Sequence, residues 1–424
     1  MLEPQSTALF LLLIVAFCAL LYWLARTRQT VFRVLAACLA FIPAMLFGVA
    51  AVNKYYGYYE TWGAVAADLG GQSSNQGPAL PAADTASGQA LSAILGRSIN
   101  VAAAAQQGQT FRLTVRGAIS HLSRRVYVYL PPQYFREAYR GYRFPVIELI
   151  NGFPGGPQDW INVVGITAAY TTLLNDGVVK PVALVMPDPE GARRTSLQCL
   201  NVVGGPQDAT FLASDLPGYM YRALRLQRPG MAWGIAGYSE GGFCAANLAL
   251  NYRLRYGYSG VLSGYFAPFK DQLGNPPRLI SPFGKNAALR QQNTPLDRLP
   301  ALPVSARIPQ FWLGVGGNDT SGVAEARQFQ RLLLARQPNV QLHIEAGGGH
   351  TMTTWRALMP PLLEWMTPAL NAAARHPVPT GGNSPVGALS PDRAPERAAL
   401  SAGEALLPGP GAGHPRGTDL RATG

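Results

Sequence analysis

Two uncharged stretches open the chain and constrain its shape more than any later segment. Pro4 to Ala25 carries no Asp, Glu, Lys or Arg, and neither does Val34 to Asn53. Each has about the 20 residues that a helix needs to cross a bilayer. The spacing predicts membrane-spanning helices over about 7–25 and 34–53. Between them lie Arg26, Arg28 and Arg33 with no acid. Short-loop basic bias points that joint to the cytoplasm and both outer ends outside. Tyr22 and Trp23 then fall at the inner interface, and Tyr55, Tyr56, Tyr58, Tyr59 and Trp62 at the outer one. A cleaved signal peptide fits less well, because Glu3 stands where a basic segment belongs and there are two runs. Pro43 leaves open a single span followed by an interfacial segment.

Composition narrows the rest. Charged residues are 14% of the chain, and the formal net charge is +12. Too much apolar surface seeks burial for a disordered polyelectrolyte. The arginines form no dense stripe with interleaved aromatics, so nucleic acid is not an expected partner. Four Cys without a C-x-x-C pair predict neither a metal site nor a disulfide scaffold. The expected organisation is a membrane anchor over 1–63, then a flexible Ala/Gly/Ser/Gln-rich tether over 64–109, with one loose helix near Ala90–Leu95. A catalytic domain over 110–375 follows, and then a disordered Pro/Gly/Ala/Arg tail over 376–424.

Within 110–375, apolar strand-like runs alternate with helical ones. Phe111–Ala118 and Arg125–Leu130 alternate apolar and polar. Phe144–Ile150, Val182–Pro187, Met231–Tyr238, Gly260–Gly264, Ile308–Gly314 and Val340–Ala346 are expected strands. Gln158–Leu174, Thr210–Leu226, Gly241–Tyr252, Gly322–Arg336 and Met352–Met366 are expected helices. This predicts an α/β fold: a mainly parallel sheet with helices on both faces and a site at the C-terminal strand ends. A Pro-rich insertion over 266–307 is placed to cap the cleft.

Gly237-Tyr238-Ser239-Glu240-Gly241 matches G-x-S-x-G between a strand-like and a helix-like run. That context is what a nucleophile elbow needs, since the sharp turn pushes the serine hydroxyl out of the sheet. Of the five histidines, His350 follows a strand and Gly347-Gly348-Gly349, and precedes a helix. His343 reads as a surface strand residue. Asp319 ends an apolar strand between Ser239 and His350, in the order serine, acid, histidine, although it also suits a helix N-cap. The backbone N–H groups of Phe153 and Glu240 are the expected oxyanion donors. Cys244 on the elbow helix and Cys199 in the loop after the fourth strand lie at one sheet edge, and a disulfide between them is expected.

These motifs, with Val128-Tyr129-Leu130-Pro131-Pro132, Asn151-Gly152-Phe153-Pro154-Gly155 and Gly349-His350-Thr351-Met352-Thr353-Thr354-Trp355, resemble the α/β-hydrolase branch of S-formylglutathione hydrolases, feruloyl esterases and mycolyltransferases. The whole layout looks like membrane-anchored actinobacterial esterases. The resemblance implies acyl-ester chemistry by Ser239, Asp319 and His350, without metal or organic cofactor, on a small-molecule or lipid ester, outside the cell membrane. An acyltransferase and a non-catalytic anchored binding module are the rival readings. Asn151 and Glu240 depart from the family pattern: His-Gly usually precedes the oxyanion donor, and Met or Leu usually follows the serine. An acid at 240 is expected to slow attack or repel anionic substrates.

Overall fold

Among the described residues, nine strands form one sheet in the order β1-β2-β3-β5-β4-β6-β7-β8-β9. The strands are β1 Ala83–Asp84, β2 Gln109–Arg116, β3 Ser123–Leu130, β4 Val146–Ile150, β5 Ala183–Pro187, β6 Gly230–Tyr238, β7 Tyr256–Leu262, β8 Gln310–Gly316 and β9 Gln341–Glu345. The structure is a computed structural model and describes residues 2–69, 77–80, 83–84, 99–191, 196–269 and 281–375. β3 pairs antiparallel with β2 and with β5, whereas β5, β4, β6, β7, β8 and β9 run parallel. β4, β5 and β6 are buried almost throughout, as strands covered on both faces must be.

Two apolar clusters sandwich the sheet. On one face Trp233, Ile235 and Val261 pack with Phe243 and Leu248 of the helix Glu240–Asn251 and with Phe329 of the helix Thr320–Leu334. On the other face Ile147, Leu149 and Ala236 meet Tyr170 of the helix Ile166–Asn175 and Leu358, Leu362, Met366 and Leu370 of the helix Met352–Arg375. That last helix runs nine residues past the expected end at Met366, through Pro368, because its apolar stripe continues to Leu370.

Other differences from the sequence reading are local. The expected helix over Gln158–Leu174 is two, Asp159–Asn162 and Ile166–Asn175, parted by left-handed Gly165. The helix expected from Thr210 carries a π turn at Phe211–Asp215, where both Asp215 carboxylate oxygens accept backbone N–H groups, from Ile119 and Ser120. Part of the expected tether is ordered: Val101–Gln107 is helical, and β1 pairs with β2. The helix expected near Ala90–Leu95 and the tail over 376–424 lie outside the described residues. In the 266–307 insertion, the helix Pro295–Ala301 packs against the helices Glu240–Asn251 and Thr320–Leu334.

Two N-terminal helices, α1 Thr7–Arg26 and α2 Thr30–Tyr56, are long and apolar enough to cross a membrane. Pro43 interrupts neither; α2 is continuous through it. They pack together through Ala36, Ala40 and Ala50, which are buried, while Val15, Phe41 and Val49 are exposed. Small residues at a helix contact and large apolar ones facing out match a lipid surrounding.

Candidate active site

Ser239 stands at the C-terminal end of β6, beside the loop that leaves β4. The chain leaves β4 toward β5 and then returns across β4 to β6, so strand order reverses here, where open α/β sheets place their ligands. The Ser239 backbone has φ 55° and ψ −121°, a left-handed conformation rare for a residue with a side chain. Its N–H is held by the Leu262 carbonyl at 2.9 Å. The flanking glycines are required by close approach. A Cβ on Gly237 would lie 2.2 Å from the Gly241 carbonyl oxygen, and one on Gly241 would lie 2.1 Å from that of Ile150.

Three separated side chains meet at this turn. His350 Nε2 is 2.9 Å from Ser239 Oγ, and His350 Nδ1 is 2.8 Å from Asp319 Oδ2. Asp319 lies after β8 and contacts both His350 and the start of the next helix. Its Oδ1 accepts the Gly322 N–H at 3.0 Å and so caps the helix Thr320–Leu334, leaving Oδ2 for the imidazole. Its side chain is 9% exposed. The His350 ring meets Trp355 edge-on at 5.2 Å, and Trp355 stacks on Tyr238 at 4.5 Å. His343 stays in β9, against Trp312 and 3.5 Å from Glu345, away from this group.

The loop Asn151–Gly156 lies directly on the serine. A Cβ on Gly152 would sit 3.1 Å from Ser239 Cβ. Asn151 Nδ2 donates to the Gly152 carbonyl at 2.9 Å, and Gly156 N–H donates to Asp159 Oδ2 at 3.0 Å. The Gly152 carbonyl belongs to the same peptide group as the Phe153 N–H, so Asn151 fixes how that N–H is presented.

Glu240 begins the elbow helix, and its carboxyl turns toward Ser196, whose Oγ donates to Oε2 at 2.5 Å. A side-chain hydrogen bond to Glu190 also acts on it. Burial pushes Glu240 up to about 7, opposed by those hydrogen bonds. Below that pH the residue after Ser239 is carried as the neutral acid, which limits its repulsion of an anion. Sequence reading did not find Glu190 or Ser196, because the loop Asp188–Gln198 carries no motif.

That loop is tied to the elbow helix. Cys199 and Cys244 are joined, with Cα atoms 5.7 Å apart, across 45 residues of sequence. Closing such a loop in the unfolded chain stabilises by about 4 kcal/mol on the chain-entropy account. Reductant, or Cys199→Ser with Cys244→Ser, is therefore expected to lower Tm by several degrees. A thermal melt unchanged by both would refute this.

The family model described as "Putative esterase" matches residues 120–366, more than half of the chain. The chain belongs to that family. An uncharacterized protein of Corynebacterium glutamicum is 25% identical over 252 residues, 58% of this chain and 57% of the relative, so the match spans little more than half of that protein. Among solved structures, a ferulic acid esterase superposes with TM-score 0.52 at 17% identity, over 62% of this chain and 99% of that one. An S-formylglutathione hydrolase from Staphylococcus aureus gives 0.50 at 17%, over 61% and 99%. At that identity the likeness speaks for the fold.

Proposed function

We propose that this esterase is a membrane-anchored carboxylesterase acting through an acyl-enzyme on Ser239. The observation that carries the reading is the continuous relay from Ser239 Oγ through His350 to Asp319, at 2.9 and 2.8 Å. In this reading His350 takes the serine proton as Oγ attacks the ester carbonyl. Asp319 holds the ring and stabilises the imidazolium that forms. The Phe153 and Glu240 N–H groups receive the charge that develops on the carbonyl oxygen. His350 then protonates the leaving alcohol, and water, activated by the same imidazole, releases the acid. These residues complete the cycle without a metal or organic cofactor.

Helices α1 and α2 supply the anchor, and Arg26, Arg28 and Arg33 orient it with the catalytic domain outside. The Cys199–Cys244 bond fits that side, since cytosolic disulfides are rare. A fluorophosphonate probe is expected to label Ser239 and nothing else. An ester panel, with feruloyl esters and S-formylglutathione included, reads the substrate, and added acceptor sugars separate hydrolysis from transfer. Folded protein that takes no label would remove the catalytic reading in favour of a binding module.

A further inference from the structure

The residues that directly follow α2 lie against the catalytic domain. Gly57 follows the last residue of α2 and lies against Thr353, three residues from His350; a Cβ on it would come 2.5 Å from Thr353 Oγ1. Arg356, one turn further along that helix, gathers the segment. Its Nη2 donates to the carbonyls of Gly57 at 2.9 Å and Tyr58 at 3.2 Å, its Nη1 pairs with Glu60, and its Nε donates to the Val163 carbonyl at 2.6 Å. Tyr58 donates its hydroxyl to the Pro154 carbonyl at 3.2 Å, in the loop that lies on Ser239. The outer end of α2 is thus clamped to both walls of the site mouth, the Asn151–Gly156 loop and the turn that carries His350.

At no more than about 3.5 Å per residue, the step from Tyr56 to Gly57 and Tyr58 leaves the mouth on the order of 10 Å from the helix end. The polar layer outside the hydrocarbon core is roughly 5–8 Å deep on each side. The surface beside the mouth suits that layer: Tyr55, Tyr56 and Trp62 are exposed, and Phe153 on the loop itself is 38% exposed. Aromatic residues of this kind collect at the membrane interface.

We propose that the ester cleaved here is a long-chain acyl ester resident in the same bilayer that holds α1 and α2, entering the site from the membrane side. This rests on the serine esterase and anchor readings above and adds the substrate class. Ser239 Oγ bonds to the long acyl carbon, the ester C–O bond breaks, and the alcohol leaves with the proton from His350. Water then releases the fatty acid beside the lipid surface and restores the serine.

The test uses the full chain in phosphatidylcholine–phosphatidylglycerol vesicles with p-nitrophenyl palmitate, either in the same vesicles or in separate ones. p-Nitrophenyl acetate in water reports the chemistry alone. Confinement raises the effective concentration, so same-vesicle palmitate is expected to turn over at least about tenfold faster than separate-vesicle palmitate, with acetate hydrolysis equal in both. Arg356→Gln is expected to shrink the same-vesicle advantage several-fold and leave acetate hydrolysis unchanged. Equal palmitate rates in the two arrangements, with acetate still hydrolysed, would overturn this proposal and leave the esterase reading standing. An undiminished advantage in Arg356→Gln would overturn the role given to the clamp. Loss of acetate turnover in the unaltered protein would overturn the esterase reading itself.

Discussion

Ser239→Ala is expected to lower kcat/KM on p-nitrophenyl acetate by about 10⁴-fold or more, and His350→Ala by a similar factor. The double variant should be no worse than either, because the members of such a relay act as one unit. Asp319→Asn gives the sharper test. Asparagine caps a helix as well as aspartate does, so the bond from Gly322 N–H survives and Tm should barely move. The same change presents the wrong partner to His350 Nδ1, and activity should fall by about 10⁴-fold. Asp297, in the first turn of the helix Pro295–Ala301, has no side-chain bond to Ser239, Asp319 or His350 among the described residues; Asp297→Asn should be close to neutral. Full activity in Asp319→Asn, or a loss in Asp297→Asn as large, would show that the acid has been misassigned.

Above pH 5 the protein should lose stability steadily to about pH 8, and Glu148→Gln should remove most of that slope. Glu148 sits in β4, completely buried, with one carboxyl oxygen accepting the Tyr256 hydroxyl at 3.0 Å. Burial pushes its carboxyl up to about 8, and the Tyr256 bond lowers it only partly. The sign follows from proton binding. Below the unfolded value of 4.5 both states hold the proton and the group adds no pH dependence. Between 4.5 and about 8 only the folded state holds it, so folding loses about 1.4 kcal/mol for each pH unit, and above 8 the loss is constant. The whole window amounts to roughly 5 kcal/mol. Glu240 adds a loss of the same sign that ends near 7. Melts of both proteins across pH 5–9 read the slope directly. A slope unchanged in Glu148→Gln would show that this carboxyl is not its source.

The site was legible in the sequence because its residues sit where chain geometry changes abruptly. The elbow needs glycine at 237 and 241, Asp319 ends an apolar run, and His350 follows a triple glycine; each leaves a local mark. The parallel sheet was legible for a similar reason, since strands covered on both faces are nearly continuous apolar runs. What stayed hidden depends on contacts distant in sequence. Arg356 reads as an ordinary helical arginine until Gly57, Tyr58 and Glu60 come to it from almost 300 residues away. The Glu190–Glu240 pair and the Asn151 bond to its neighbour's carbonyl left no pattern either. Strand β1 escaped because two residues are too short a run to show periodicity, and the π turn because Asp215 is recruited by Ile119 and Ser120 from another part of the chain.

The strained backbone of Ser239 ties the history of this chain to its chemistry. A side chain at φ 55° costs on the order of 1–3 kcal/mol, and glycine at that position would recover most of it. Selection for stability alone therefore pulls position 239 toward glycine, and on the proposed mechanism only selection for turnover holds the serine. A descendant that kept the fold and the anchor but no longer needed an ester cleaved would be free to relax here first. Glycine at this one position, with the surrounding turn intact, would identify such a retired copy before Asp319 and His350 had begun to drift.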